Sequence, residues 1–179
     1  MEENMRGSLR DAPSSPPRAP RSKLHTAESC AAYMRAREKE RPGMRWVFTN
    51  GCFDLLHAGH AACLHEARLL GGGLLVGLNS DASVRRLKGG ARPFVPYAER
   101  ALLIAALECV DAVLSFDEDT PCALLALLRP QVHVKGGDYT AELLPEYALV
   151  RSWGGEVRIL PFTDGCSTSA LAERIRSAQ

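Results

Sequence analysis

The pattern of hydrophobic and polar positions changes rhythm at Arg45. Before it, Ala27, Ala31 and Met34 recur at helical spacing, Thr26 is a suitable N-cap, and Pro42-Gly43 cannot continue a helix. This predicts a helix over Thr26–Arg41. After it, short apolar runs alternate with helical stretches. Strands are predicted at Trp46–Thr49, Leu74–Leu78, Ala112–Phe116, Val132–Val134 and Val157–Leu160. Helices are predicted at Ala58–Leu70, Asp81–Leu87, Ala98–Glu108, Thr120–Arg129, Ala141–Trp153 with a distortion at Pro145, and Thr168–Ser177. Thr120-Pro121 reads as a capping hydroxyl followed by proline at the first helical position.

Strands that are apolar throughout, rather than alternately, are covered on both faces, and a βαβα rhythm makes the sheet parallel. The expected fold class is α/β: a Rossmann-like, doubly wound parallel sheet of about five strands with helices on both faces. Residues 1–24, rich in Pro, Ser and Arg and poor in large apolar side chains, read as a disordered leader. Residues 25–43 hold the first helix, and 44–179 form the α/β domain.

Composition narrows the function. A chain of 179 residues suffices for one domain with a sizeable core. A net charge of +1 speaks against a nucleic-acid partner. No apolar run is long enough to span a bilayer, and the basic leader lacks the apolar core of a secretory signal, so cytoplasmic residence is expected. The six cysteines, Cys30, Cys52, Cys63, Cys109, Cys122 and Cys166, include no Cys-x-x-Cys pair and read as apolar fillers.

In open parallel sheets, ligands bind beyond the carboxyl ends of the strands. The loop after the first predicted strand, Thr49-Asn50-Gly51-Cys52-Phe53-Asp54-Leu55-Leu56-His57-Ala58-Gly59-His60, opens a helix whose free N–H groups and positive end suit phosphate. Gly51 permits a tight turn, Gly59 lets a phosphate approach the backbone, and His57 and His60 can donate to the same anion. A zinc site from His57, His60, Cys63 and His65 is disfavoured, because His65 leaves the His60 face once the helix begins.

The other strand ends carry further polar groups. Asn79, Ser80 and Asp81 are placed either to meet substrate or to cap a helix. Lys88, beside Gly89-Gly90, can close over a triphosphate or remain a surface lysine. Arg92 suits bidentate phosphate binding. Arg100 fits either a phosphate contact or an ion pair with Glu99 or Asp111. Lys135, Gly136 and Asp138 follow the fourth strand, where a cation can hold a substrate phosphate. Ser167, Thr168 and Ser169 open the last helix with more hydroxyls than one cap requires.

The His57-Ala58-Gly59-His60 motif after a strand resembles that of the nucleotidyltransferase superfamily, which includes cytidylyltransferases, pantetheine-phosphate adenylyltransferases and class I aminoacyl-tRNA synthetases. Thr49 to His60, Gly77–Asp81, Val84–Gly89, Lys135–Tyr139 and Gly165–Ser169 together resemble bacterial D-glycero-β-D-manno-heptose 1-phosphate adenylyltransferases. These occur free-standing or as the C-terminal half of a bifunctional kinase–adenylyltransferase. The resemblance covers about Trp46 to the C-terminus. It implies transfer of AMP from ATP to heptose 1-phosphate, giving ADP-heptose and pyrophosphate. It implies His57, His60 and Lys88 as catalytic groups. Thr49, Asn50, Gly51, Cys52, Phe53, Gly59, Arg92, Gly136, Ser167, Thr168 and Ser169 would bind nucleotide, and Asp54, Asn79, Asp81, Arg100, Lys135 and Asp138 would bind substrate. Mg²⁺ accompanies ATP, no protein metal site is expected, and a homodimer is expected from relatives. A separate kinase and phosphatase are expected in the pathway.

Cytidylyltransferases for polyol or amino-alcohol phosphates are the nearest rivals. At the Lys135 position they tend to carry Met, and in their Arg-Thr-Glu-Gly-Ile-Ser-Thr motif Phe162 and Asp164 of this chain stand in place of Arg and Glu. Lys135 separates the chain from the glycerol-phosphate branch of these enzymes, and the Phe162 and Asp164 departures lean toward ATP. A tRNA synthetase fragment is disfavoured by the missing Lys-Met-Ser-Lys-Ser motif. A non-catalytic nucleotide-binding protein would not need both histidines and Lys88.

Overall fold

A computed structural model describes residues 18–161 and 168–178. The elements are β1 (Leu24–His25), α1 (Ala27–Glu40), β2 (Trp46–Gly51), α2 (Ala58–Leu69), β3 (Gly73–Asn79), α3 (Asp81–Lys88), α4 (Tyr97–Ala106), β4 (Ala112–Phe116), α5 (Cys122–Leu128), β5 (Val132–Gly136), α6 (Tyr147–Ser152), β6 (Glu156–Leu160) and α7 (Thr168–Ser177), with 3₁₀ turns at Pro20–Lys23 and Ala141–Leu143.

All six strands are parallel, in the order β1-β4-β3-β2-β5-β6. From β2 the chain winds outward through β3 to β4, then returns to lay β5 on the other side of β2. The order therefore reverses between β2 and β5. Loops leaving the carboxyl ends of these two strands diverge and leave a crevice.

Side chains alternate across β2. Val47 joins Leu64, Leu74, Val76, Ile104 and Val134 on one face of the sheet. Trp46 and Phe48 join Cys30, Met34, Leu75, Leu114, Leu125 and Val150 on the other. Every residue of β3 is buried, which is why its sequence is apolar without alternation. Gly77 leaves room for an aromatic neighbour: a Cβ there would lie 2.7 Å from Cζ of Phe48, which is fully buried. Gly77→Ala is therefore expected to lose about 1–3 kcal/mol of stability through overpacking. Urea unfolding checks this, and an unchanged midpoint would show that Phe48 can move aside.

The predicted elements from β2 onward are present, with four local differences. The sheet has a sixth strand, β1. Residues 18–24, assigned above to a disordered leader, are ordered: Lys23 donates to the carbonyl of Leu107 at 2.9 Å, and Arg18 donates to the hydroxyl of Tyr33 at 2.8 Å and the carbonyl of Asp111 at 3.1 Å. Long cationic side chains and backbone pairing hold this segment, and neither leaves an apolar period. The rest of the expected leader lies outside the described residues. The helix predicted over 141–153 is broken into a 3₁₀ turn and α6. Pro145 between them lacks an N–H and keeps its predecessor out of helical geometry. Thr120 does not cap α5: Pro121 takes that position, with no side-chain cap. At α3 the cap is Ser80, which accepts from the Ser83 N–H at 3.0 Å.

Candidate active site

The loop between β2 and α2 is shaped by its backbone. Phe53 has φ 46°, in the left-handed region, and its ring lies 3.1 Å from where a Cβ on Gly51 would stand. His57 takes the N-cap position of α2 without spending its side chain on the cap. The imidazole is thus left free where the first N–H groups of the helix lack intrahelical partners. His57 and His60 stack with ring centroids 3.8 Å apart and 22° between planes, and His60 also meets the Phe53 ring at 5.1 Å. The Nδ1 atoms of both are buried without a partner.

Burial and the His57 ring, weakly opposed by the Leu55 backbone, leave the His60 pKa at about 4, and burial lowers that of His57. Both imidazoles are neutral at pH 7, each with one N–H to give. Because these folded-state values lie below the unfolded ones, the native protein binds fewer protons than the unfolded chain between about pH 6.5 and 4. Their contribution is fully present above that window and is lost as pH falls through it. The melting temperature of the ligand-free protein is expected to drop by on the order of 5 °C between pH 7 and 4.5. A flat profile would contradict the burial of these rings.

A cavity of about 470 Å³ opens at the carboxyl ends of β2, β3 and β5. Thr49, Asn50, Gly51, Cys52, Phe53, Asp54, His57, Gly59 and His60 line it from the first loop. Asn79, Lys88, Arg92, Lys135 and Gly136 come from the other strand ends, and Thr168 and Ser169 come from the start of α7. Thr49 ties β2 to β5 at the reversal by donating to the carbonyl of Val134 at 3.0 Å. Lys88 is exposed at the last turn of α3, followed by Gly89 at φ 96°, a conformation that favours glycine.

Several charged residues spend their charge on neighbours rather than facing the cavity alone. The buried Asp54 carboxylate accepts from Arg92 at 2.6 Å and from the N–H groups of Phe94 at 2.7 Å and Val95 at 3.0 Å. It holds the loop after Lys88 against the first loop, and a substrate contact would have to break that bonding. Arg100, expected at substrate, is 1% exposed and does not line the cavity. Its ion-pair partner is Asp81, at 2.7 Å, rather than Glu99 or Asp111. It also donates to the carbonyls of Val95, Cys52 and Asn79. Asp81 is correspondingly engaged and outside the lining. Asp138 is exposed and also outside it. Lys135 is paired with Glu146 at 3.1 Å. Asn79 lines the cavity while its amide donates to Ser83 at 2.9 Å. Ser167 lies outside the described residues, as do Phe162 and Asp164.

The sequence reading missed Cys63, Val84, Leu87, Asp119, Tyr139 and Pro161 in the lining. Helical spacing could have found three of them. Cys63 lies one turn beyond His60, and Val84 and Leu87 lie one turn and one residue before Lys88 on α3. Glu146 gave no local signal.

Among the described residues, no helix is long and apolar enough to cross a membrane. The cytidylyltransferase-like family model matches residues 48–174. A bifunctional protein HldE of Geotalea uraniireducens is 55% identical over 156 residues, which are 87% of this chain and 31% of that protein. One of Hahella chejuensis is 53% identical over 137 residues, 76% of this chain and 29% of that protein. The chain thus spans about a third of the length of these curated relatives. A solved structure of a lipopolysaccharide core biosynthesis protein from Thermoplasma volcanium is similar at a TM-score of 0.55 and 29% identity, covering 68% of this chain and 98% of that one. The family match spans β3 to β6 entire, the stacked histidines and the crevice beside them, and on that evidence the chain belongs to the cytidylyltransferase-like family.

Proposed function

We propose that the protein is an adenylyltransferase that moves AMP from ATP to D-glycero-β-D-manno-heptose 1-phosphate. The observation that carries a nucleotidyl transfer is the pair of stacked neutral imidazoles at the open N-terminus of α2, on the crevice at the sheet reversal. The heptose acceptor is supported by the sequence motifs and by the relatives named HldE. A sugar acceptor also agrees with the structural neighbour, a lipopolysaccharide core biosynthesis protein.

An oxygen of the sugar phosphate attacks the α-phosphorus of ATP. The new P–O bond forms as the bond from the α-phosphorus to the bridging oxygen breaks, and pyrophosphate leaves. The nucleophile is already ionised at neutral pH, so no general base is required. Catalysis consists of positioning and of stabilising charge on the reacting phosphoryl group. His60, with His57, donates to the phosphates, and Lys88 closes from α3. Thr168 and Ser169 at the start of α7 receive the remaining oxygens. Mg²⁺ would rest chiefly on phosphate oxygens and water, because the nearby carboxylates are engaged: Asp54 by Arg92, and Asp119 by Arg86 at 3.2 Å. The ion supplies charge neutralisation on the triphosphate.

The family description favours one rival, a cytidylyltransferase for a polyol or amino-alcohol phosphate. Pyrophosphate release separates them when ATP and CTP are each paired with heptose 1-phosphate and glycerol 3-phosphate. Release only from ATP with heptose 1-phosphate is the expected result. Release with CTP would move the protein to the rival branch, and silence in every pair would overturn the assignment as an enzyme of this kind.

A further inference from the structure

Behind Lys135, which lines the cavity, two titratable side chains are buried out of water. Lys135 leaves the end of β5 with its Nζ 3.1 Å from Oε1 of Glu146. Glu146, at the head of α6, is 2% exposed, and its other oxygen, Oε2, is buried with no hydrogen-bond partner. His133, two residues before Lys135 and therefore on the same face of β5, is fully buried, and neither ring nitrogen has a hydrogen-bond partner.

Around His133, its own strand contributes Lys135, and the N-cap of α6 contributes Glu146. On β2 the Phe48 ring lies 5.7 Å away, and on β6 the register neighbour is Val157. Burial, reinforced by Lys135, holds the imidazole well below its ordinary range. Glu146 pulls the other way, as does the Phe48 backbone, which favours the ring's proton without a well-formed hydrogen bond. A neutral imidazole and an orphaned carboxylate oxygen thus stand behind an ammonium that reaches the cavity.

We infer that Glu146 and His133 are a positioning pair for Lys135 that takes up a proton when a phosphate monoester dianion binds there. The inference rests on the reading of Lys135 as a contact for the acceptor phosphate. In the free protein the charge of Lys135 is balanced by Glu146. An arriving dianion adds two negative charges beside a buried carboxylate, with one ammonium between them. Like charges with little water around them repel strongly, and a buried carboxylate that must share its partner is poorly compensated. A proton relieves both problems. On Oε2 it turns an orphaned acceptor into a donor, and on His133 it supplies a second ring donor and a balancing charge. Proton uptake on binding means that the acceptor binds more tightly as pH falls, against the weakening from protonation of the phosphate itself.

Isothermal titration calorimetry reads this directly. The intact protein, held with Mg²⁺ and a non-hydrolysable ATP analogue so that His57 and His60 are already engaged, is titrated with heptose 1-phosphate at pH 7.5. Buffers of different ionisation enthalpy report the sign and size of proton uptake, expected as a net gain of protons on binding. His133→Leu and Glu146→Gln should each still bind but lose most of that uptake. Lys135→Met should weaken binding roughly tenfold or more, through loss of a charged hydrogen bond. Should His133→Leu fail to give a native circular dichroism spectrum, Glu146→Gln decides alone. Normal binding with buffer-independent heat, or uptake unchanged in the variants, overturns the proton uptake while leaving the acceptor assignment intact. Normal binding by Lys135→Met overturns the placement of the phosphate, and the inference with it. No binding by the unaltered protein overturns both the inference and the proposed acceptor.

Discussion

His60→Ala is expected to lower turnover by about two to three orders of magnitude while the protein remains folded. The magnitude follows from the job assigned to the ring: a donor placed where charge develops in the transition state is worth that much when removed. The ring is only partly buried and its Nδ1 has no partner, so truncation removes an orphaned polar atom along with some contact to Phe53. The melting temperature should therefore move little. KM for ATP should change less than kcat, since the bond strengthens only as the phosphoryl group reacts. His60→Asn, which keeps an N–H near the same place, should recover part of the loss. Near-normal turnover by a folded His60→Ala protein would remove His60 from the mechanism.

Arg100→Leu should produce the largest loss of stability, on the order of 3–5 kcal/mol, or roughly 10 °C in melting temperature. The guanidinium is buried and makes four hydrogen bonds: to the carbonyls of Val95 at 2.9 Å, Cys52 at 2.6 Å and Asn79 at 3.0 Å, and to Asp81 at 2.7 Å. One side chain therefore fastens the loop after β2, the end of β3, the start of α3 and the segment entering α4. Leucine fills some of the volume but leaves these acceptors unpaired in a dry place. Lysine keeps the charge but lacks the planar fork that reaches four acceptors, so Arg100→Lys should recover only part of the loss. A melting temperature for Arg100→Leu within 2 °C of the parent protein would show that water can replace the guanidinium.

These two residues mark what the sequence discloses and what it withholds. His60 was legible because a parallel sheet gathers all strand ends at one edge, so a residue just after a strand is a residue at the crevice. The strands were legible because burial on both faces makes them apolar throughout, as in β3. Arg100 was legible as important but not in its role. Its partner Asp81 is 19 residues away, and the partner of Asp54 is 38 residues away. Which carboxylate neutralises which cation is decided by how the layers stack, and no local period records it. The same holds for Lys135, whose cation reads from the sequence as free for phosphate and in the structure is shared with Glu146. β1 was illegible for another reason. Two residues cannot display a period, and their order comes from pairing with β4 and from Arg18 and Lys23 reaching distant carbonyls.

That short strand bears on how the molecule behaves in a crowded solution. Ala112–Phe116 is mostly buried and apolar, and without a neighbour it would offer a row of unpaired N–H and C=O groups, a template for pairing with another chain. Two residues of β1, anchored by the cations that precede them, cover that row at Val113 and Leu114. The outermost strand is then too short to recruit a further one, so the segment protects this edge of the sheet from edge-to-edge pairing.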